Sequence, residues 1–515
     1  MVHLSLLALI PLLGIAHPVP SDNASAPTSS VAPASLLSDD EESPKQPNIL
    51  LIITDQFSPR ALGIAGNSVV KTPRLDQLGE QGAYFRQGYC NDPICVPSRY
   101  SMLSGRYPTE IGVFTNSLPP IAGVRYLPEY LNDFGYFTGS SGKNHFIPEE
   151  ETHGFQDLYR HAFYVSSYWT HYGPWYERRF KELGLKGDPY FWKRTKDWHK
   201  AIEPDDGGMC IINPYPAELC PENWVTLQAL RLIDRAKEKD KPFFVHASYF
   251  APHHPYGPLQ EYYDLYEGVD MPLPPNFYHE KRSQRTYTDD EHKFIMRHYY
   301  GFVSQVDHYI GELLDGLDER GLAENTLVFM VSDHGDMMGE FGELTKGPPW
   351  EGSLGVPFFM RWPGRIPAGQ VISEPVSLLD IVPTIFDALQ EPAPEAAQGD
   401  SILPLAEAKI ETLDREVYGI DVRINPFLFV SVRERRWKLI MRPQTRKFDA
   451  FALYDMENDT YELTDLSKEP EHKATLDRLK AKALAFWETQ SLTVKRPFPE
   501  DQPYSAKPPL KERDR

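Results

Sequence analysis

Three short runs along the chain are apolar at nearly every position and end in polar residues. Ile49-Leu50-Leu51-Ile52-Ile53 passes into Thr54-Asp55-Gln56. Phe243-Phe244-Val245 leads through His246 to Ser248 and on to Pro252-His253-His254-Pro255, and Leu327-Val328-Phe329-Met330-Val331 ends in Ser332-Asp333-His334-Gly335. Continuous aliphatic and β-branched runs, without the alternation of a half-exposed strand, fit strands covered on both faces of a largely parallel sheet. Ligands of such sheets bind beyond the carboxyl ends of the strands. Each run here ends in Asp, Gln or His, so the three predict one shared site.

Between the runs the period changes. Ile295, Tyr299, Phe302, Val306, Ile310, Leu313 and Leu317 recur every three or four positions, marking one face of a helix that Asp289-Asp290 can cap and Gly321 follows. That stripe reads as core packing. From about Val417 the pattern shortens into strands around Glu416–Gly419, Leu428–Val432, Lys438–Met441 and Ala452–Asp455. A helical pattern through Leu476, Leu479, Ala483 and Phe486 comes after them. The expected fold class is α/β: a large mixed, mostly parallel sheet with helices on both faces, plus a smaller C-terminal antiparallel sheet with a helix. No internal repeat is visible.

The two ends of the chain differ in texture from this frame. Leu4 to Ile15 is an apolar stretch of signal-peptide length, with the small residues Gly14-Ile15-Ala16 before a cleavage point. Residues 1–16 therefore read as a secretory signal and the protein as secreted, a short membrane anchor being the alternative. No later segment is long and apolar enough for a stable membrane span. Residues 17–46, rich in Ser, Pro and Ala with the acidic patch Asp39-Asp40-Glu41-Glu42, form a disordered linker or pro-region. A Pro-rich, charged tail is expected over 497–515, which leaves 47–415 for a catalytic domain and 416–496 for the C-terminal subdomain. Asn23-Ala24-Ser25 and Asn458-Asp459-Thr460 are glycosylation sequons, relevant if the chain enters a eukaryotic secretory pathway.

With 515 residues and 41% hydrophobic content the chain has material for a large core. A formal charge of −20 argues against a nucleic-acid partner, whose phosphates need a basic surface. An anionic substrate would have to be drawn in by a local basic pocket against that field. Four cysteines in so long a chain are not a disulfide framework, although Cys210 could pair with Cys220, and Cys90 with Cys95.

Cys95 opens the run Cys95-Val96-Pro97-Ser98-Arg99, followed by Ser104-Gly105-Arg106. On chemistry alone, a Cys at a helix N-terminus near an Arg is either an acidified thiol or an inert buried one. In sequence, however, these residues resemble the signature of the type I sulfatases of the alkaline phosphatase superfamily, in which that Cys is oxidised to formylglycine. The resemblance runs in order from Asn48–Gln56 and Thr72-Pro73-Arg74-Leu75-Asp76-Gln77-Leu78 through Ser141-Gly142-Lys143-Asn144-His145-Phe146 and Pro252-His253-His254-Pro255. It continues through Ser332-Asp333-His334-Gly335-Asp336, Lys346-Gly347-Pro348-Pro349 and Pro383-Thr384 to Leu453-Tyr454-Asp455. It is nearest the branch of choline sulfatases and phosphonate monoester hydrolases. Asp55-Gln56 stands where lysosomal arylsulfatases carry Asp-Asp, and His334 where many relatives carry Asn. Tyr89-Cys90-Asn91-Asp92-Pro93 and His153-Gly154-Phe155 agree with that branch.

The resemblance implies an alkaline-phosphatase-like fold and a sulfuric ester hydrolase acting on a small-molecule or carbohydrate sulfate ester. It implies one Ca²⁺ held by Asp55, Gln56, Asp333, His334 and an oxygen of modified Cys95. His334 is the awkward ligand, since calcium prefers oxygen, and contact with the nucleophile or a substrate oxygen is its alternative role. A formylglycine hydrate attacks sulfur to give a covalent sulfo-enzyme, and its second hydroxyl then expels sulfate. Arg99 and Lys143 are implied to hold the nucleophile, His145 to act as base in the release step, and His253 and Lys346 to bind sulfate oxygens, one of them protonating the leaving group. A formylglycine-generating maturation enzyme is an implied partner. Two rivals stand beside this reading: a phosphonate monoester or phosphodiester hydrolase on the same site, and a calcium-binding homologue that never receives the modification. The aromatic segment 162–194, with Phe163, Tyr164, Tyr168, Trp169, Tyr172, Trp175 and Tyr176, reads as a packed insertion or as the wall of a substrate pocket.

Overall fold

The computed structural model describes residues 46–161, 171–186, 209–279, 287–422, 429–443 and 448–491. The expected signal peptide, the linker up to residue 45 and the tail lie outside the described residues, as do Phe163, Tyr164, Tyr168 and Trp169. The first apolar run forms β1 (Asn48–Thr54), followed by α1 (Pro73–Gln81), β2 (Ala83–Phe85), α2 (Cys95–Ser104), β3 (Phe137–Gly142) and β4 (Asp157–Arg160). Next come α3 (Tyr172–Glu182), α4 (Pro221–Glu238), β5 (Phe243–Ser248), α5 (Asp289–Glu319), β6 (Thr326–Ser332), the one-turn α6 (Glu351–Leu354), β7 (Phe358–Arg361) and β8 (Gln370–Ile372).

These strands make one eight-stranded sheet in the order β8-β2-β7-β6-β1-β5-β3-β4. The five neighbours β6, β1, β5, β3 and β4 all run parallel. β7 runs antiparallel to both β6 and β2. The unbroken apolar character of β1 has a direct cause. Leu50 and Ile52 point into the layer formed with Leu75 of α1, Trp224 and Leu232 of α4, and Ile295 and Val306 of α5. Ile49, Leu51 and Ile53 point into the opposite layer, with Val96, Tyr100 and Leu103 of α2. Both faces are covered, so neither can be polar.

Register aligns the strand ends. Thr54 pairs with Ser332, Ile53 with Ser248, Ser248 with Gly142, and Gly142 with Arg160. The residues immediately after these pairs therefore emerge along one edge of the sheet. No helix among the described residues is long and apolar enough to cross a membrane.

Helix α5 begins one residue earlier than the expected cap. Thr288 takes that position with extended backbone, its hydroxyl accepting from Glu291 N at 3.3 Å while the Glu291 carboxylate accepts from Thr288 N at 2.6 Å. Asp289 and Asp290 fall in the first turn, where their charge complements the helix dipole without capping it. Helix α1 has no side-chain cap of its own. Asp307 of α5 supplies it, accepting from Arg74 N at 3.2 Å and Leu75 N at 2.8 Å.

The C-terminal strands β9 (Val417–Asp421), β10 (Phe429–Arg433), β11 (Trp437–Pro443) and β12 (Phe448–Asp455) form an antiparallel sheet in sequence order. Helix α7 (Lys473–Ser491) closes its core through Leu479, Ala483 and Phe486. A buried charge cluster ties this sheet to α6 and to Tyr89. Lys438 of β11, 1% exposed, bonds Glu351 at 2.8 Å and Glu462 at 2.7 Å, and Glu351 also accepts from Tyr89 Oη at 2.8 Å. Burial works against charge on both carboxyls. At Glu351 the cations Lys438 and Arg433 prevail and lower its pKa to about 2, whereas burial pushes Glu462 up to about 7. Replacing Lys438 by Met leaves the enclosed Glu462 without its cation and Glu351 with Arg433 alone. The expected loss is about 3–5 kcal/mol of stability, measured by urea denaturation, and a change under about 0.5 kcal/mol would show that the cluster is not holding this sheet to α6.

Candidate active site

Helix α2 starts at Cys95, with Ile94 before it in extended backbone, and all ten of its residues are buried. A helix start leaves backbone N–H groups unpaired. One of them, Val96 N, is taken by Asn116 Oδ1 at 3.0 Å. One turn further on, Arg99 reaches across the ends of four strands. Its Nε donates to Asp333 Oδ2 at 2.8 Å and its Nη2 to Asp55 Oδ2 at 3.1 Å. Its Nη1 donates to Lys143 O at 2.7 Å and Ser248 Oγ at 2.8 Å. The approach of β3 to β5 that brings Lys143 here needs Gly142. That residue sits at φ 97°, and a Cβ there would lie 1.9 Å from Ser248 O.

Cys95 Sγ is the centre of the constellation. His334 Nε2 lies 3.2 Å away, Lys346 Nζ 3.3 Å, and Asp55 Oδ1 and Lys143 Nζ each 3.9 Å. His145 sits beside the same side chain at φ 58°, its Nδ1 buried without a hydrogen-bond partner among the described residues. If residue 95 is formylglycine, Sγ stands in for an oxygen on the same carbon, and these contacts become that oxygen's. Burial alone would raise the thiol pKa, but Lys143, Lys346 and His334 outweigh it and hold Cys95 well below the ordinary thiol range. At Asp55, burial and the Cys95 charge oppose ionisation. Lys143, His253 and Arg99 overcome both and keep the carboxyl well below the usual carboxylate range. Asp333 is shifted the other way by burial and by the charge on Asp55.

Hydrogen bonds fix the imidazoles. His334 Nδ1 donates to Gly335 O at 2.9 Å, which turns Nε2 toward Cys95, Asp55 and Asp333. His253 Nδ1 donates to His254 O, so Nε2 is left to accept from Lys346 Nζ at 2.7 Å. Burial and the charge of Lys346 lower the His253 pKa to about 4. Gln56 turns its Oε1 to Lys346 Nζ at 2.9 Å, because its Nε2 donates to Asp336 Oδ2 at 2.6 Å.

All ten residues singled out by sequence converge here. Asp55, Gln56, Cys95, Arg99, Lys143, His253, Asp333 and His334 are buried, while His145 and Lys346 are half-buried at the rim. Ligand atoms of Asp55, Cys95, Asp333 and His334 all lie within 4.8 Å of one another. Two carboxylates, an inward-facing imidazole nitrogen and the nearby amide oxygen of Gln56 suit a divalent cation. With Nδ1 donating to Gly335 O, His334 turns Nε2 toward the two carboxylates, and against the effect of burial the charge of Asp333 raises its pKa.

Other contributors were not assigned from sequence. Ser248 is a partner of Arg99. Asp336 orients Gln56 and is itself held by Tyr256 Oη at 2.8 Å. His254, stacked on His253 with centroids 4.2 Å apart, sets Nδ1 3.1 Å from Gln56 Nε2. Asp336 and His254 lie inside the recognised motifs, so their position was visible although their supporting role was not. All four cysteines are free, and neither Cys90–Cys95 nor Cys210–Cys220 is joined. The Cys90 thiol lies 3.9 Å from Ser353 O, away from the cluster. Tyr172 and Tyr176 of the aromatic segment are buried in the core.

The site is thus an enclosed cluster of cations and carboxylates at the carboxyl edge of the five parallel strands of a mixed α/β sheet. A family model described as sulfatase matches residues 47–391, and one described as N-sulphoglucosamine sulphohydrolase, C-terminal, matches residues 339–488. The chain belongs to the sulfatase family, and its fold is that of the alkaline-phosphatase-like sulfatases. It is 32% identical over 474 residues to an arylsulfatase of Clostridium perfringens (strain 13 / Type A), covering 84% of this chain and 93% of that protein. It is 28% identical over 478 residues to a choline-sulfatase of Rhizobium meliloti (strain 1021), covering 87% and 88%. The crystal structure of a phosphonate monoester hydrolase of Agrobacterium radiobacter superposes with a TM-score of 0.72 at 22% identity, over 86% of this chain and 96% of that one. The protein is thus a sulfatase, an enzyme of sulfate ester hydrolysis.

A divalent cation held by Asp55 and Asp333 would stabilise the folded chain by mass action. Free Ca²⁺ at about 100 times its Kd should add about 2.7 kcal/mol over the chelator-stripped protein. That gain is read as a rise in Tm, and an unchanged Tm across the titration would remove the metal from this cluster.

Proposed function

We propose that the enzyme releases inorganic sulfate from an organic sulfate ester with residue 95 as formylglycine and one Ca²⁺ held by Asp55, Gln56, Asp333, His334 and residue 95. The observation that carries the reading is the placement of Cys95. Two carboxylates and His334 stand on one side of it, and Lys143, His145, His253 and Lys346 gather around it.

As formylglycine hydrate, residue 95 supplies an oxygen nucleophile with a second hydroxyl on the same carbon, through which sulfate can be expelled. A cation at the cluster supplies charge that lowers the pKa of that nucleophile and offsets the charge of the sulfate oxygens. The chain's own residues do the rest. Arg99 fixes Asp55 and Asp333 relative to α2, and Lys143, ion-paired with Asp55, faces the nucleophile from the β3 side. Lys346 and His253 share a hydrogen bond of 2.7 Å, and with His253 neutral their proton lies within reach of a departing alkoxide. Burial and Lys143 lower the His145 pKa, so His145 is a free base at neutral pH, beside residue 95 and suited to take the second hydroxyl's proton. The apolar stretch Leu4–Ile15 supports entry into a secretory pathway, where a formylglycine-generating enzyme is the partner this chemistry needs.

The peptide containing residue 95 should carry an aldehyde in active protein, as read by mass spectrometry; full activity with an intact thiol sinks the proposed nucleophile. Lys346→Ala should lower kcat on an alkyl sulfate by about 10²–10³-fold and cost less on 4-nitrophenyl sulfate, whose leaving group needs no proton. Equal losses on the two esters would move the acid role elsewhere. Faster turnover of an aryl phosphonate than of the matching aryl sulfate would transfer the assignment to phosphonate ester hydrolysis.

A further inference from the structure

One carboxyl in the core takes no part in the chemistry above. Glu222 stands in the first turn of α4 and is 1% exposed. Its Oε2 accepts from Gln305 Nε2 of α5 at 2.9 Å, and the Gln305 amide is turned that way because its own Oε1 accepts from Leu259 N at 2.7 Å. Oε1 of Glu222 is enclosed without a hydrogen-bond partner among the described residues. A buried polar atom in that state costs about 1–3 kcal/mol, and it calls for a reason.

Glu222 lines a cavity of about 30 Å³, room for about two heavy atoms. Its walls are aromatic: Tyr172 and Tyr176 of α3, Phe302 of α5, and Phe250 just beyond β5. Apart from Asn213 the rest of the lining is aliphatic or glycine. Asn213 Oδ1 already accepts from Tyr215 N at 3.1 Å, and the Tyr172 hydroxyl donates to Leu219 O at 2.6 Å. Among the described residues Glu222 is the only carboxyl of the lining, and no Lys, Arg or His belongs to it. Asn213 and Gly257 are half-buried, which leaves the cavity a side toward solvent.

The chemistry of the lining selects its occupant. Burial raises the Glu222 pKa to about 7, and hydrogen bonds from its own N–H, Gln305 and Cys220 oppose that shift only in part. The titratable groups facing it are Cys220, Tyr172, Tyr249, Tyr262 and Tyr309, each held neutral by burial. The carboxylate therefore has no cation beside it among the described residues. A water needs roughly two to four polar partners and would find one free acceptor here. A hard metal ion asks for roughly six or more oxygens. A small protonated amine matches better: its N–H groups suit Oε1, its charge offsets the carboxylate's, and aromatic rings attract cations. A trimethylated ammonium has no N–H and exceeds the space.

We propose that this cavity is a second binding site of the protein, for a small primary ammonium the size of methylammonium, ion-paired to Glu222 and enclosed by the four rings. It is distinct from the cluster around Cys95 and stands independently of the sulfate ester reading. Phe250 marks the boundary between the two: its ring centre lies 4.9 Å from that of His253 and 5.2 Å from Lys143 Nζ. The amine pairs with the ionised carboxylate, so its affinity falls as Glu222 takes up a proton below about pH 7.

The test is isothermal titration of the full chain with methylammonium chloride, with sodium chloride and tetramethylammonium chloride as controls at equal ionic strength. One saturable site is expected for methylammonium alone. Glu222→Gln keeps an acceptor for Gln305 but removes the charge, and should weaken binding about tenfold or more. Wild-type affinity should fall several-fold or more between about pH 8 and about pH 5.5. Three results overturn the proposal: methylammonium giving no more heat than sodium chloride, tetramethylammonium binding equally well, or Glu222→Gln binding as tightly as wild type. Should that variant not fold, the wild-type pH series decides. An affinity unchanged across it overturns the proposal, since the partner would then not be a carboxyl that titrates near neutrality.

Discussion

The guanidinium of Arg99 is the point on which the centre depends. A planar fork with five donors can meet several acceptors at once in fixed directions. Here it meets Asp55, Asp333, Ser248 and the carbonyl of Lys143, one from each of four adjacent strands. Without that cation two buried carboxylates would face each other across the sheet edge. Lys at this position would carry the charge but could not span the four acceptors. Since Arg99 lies one turn beyond Cys95, the same contact that neutralises the carboxylates also fixes where α2 begins, and so where residue 95 points.

The C-terminal sheet takes part in this arrangement from a distance. Lys438 and Glu462 engage Glu351 at the start of α6. That single turn then holds both arms of the loop bearing His334 and Lys346. Ser353 O accepts from Gly335 N at 2.9 Å, and Ser353 Oγ accepts from Gly347 N at 2.8 Å. The smaller sheet is therefore a buttress for a loop with two functional side chains.

Much of this was legible in the sequence, and the reason is physical. Strands buried on both faces must be apolar throughout, so β1 and β6 declare themselves, and a polar residue directly after such a run has to stand at the sheet edge. That logic located Asp55, Gln56, Asp333 and His334, and resemblance added Arg99, Lys143, His145, His253 and Lys346. Residues that work by touching another side chain carry no such mark. Ser248 looks like any strand residue until Arg99 is seen against it. Asp307 reads as a polar interruption of a helix, although it caps α1 through space. Thr288 was passed over for Asp289-Asp290 because local propensity cannot tell which of three neighbouring residues has extended backbone.

The burial of α2 sets a deadline. Cys95 is 1% exposed, inside a helix with no open face and behind two rim residues. On the proposed chemistry its sulfur has to be exchanged for oxygen, and an enzyme that does so needs residue 95 and its neighbours within reach. Once Val96, Tyr100 and Leu103 have packed beneath the sheet, that stretch can no longer be drawn out as an extended peptide without undoing the core. Oxidation and folding are thus in a race that oxidation must win. On that chemistry a molecule that folded first would be well formed and still inert, and the active fraction would follow from the order of the two events, independently of the stability of the finished protein.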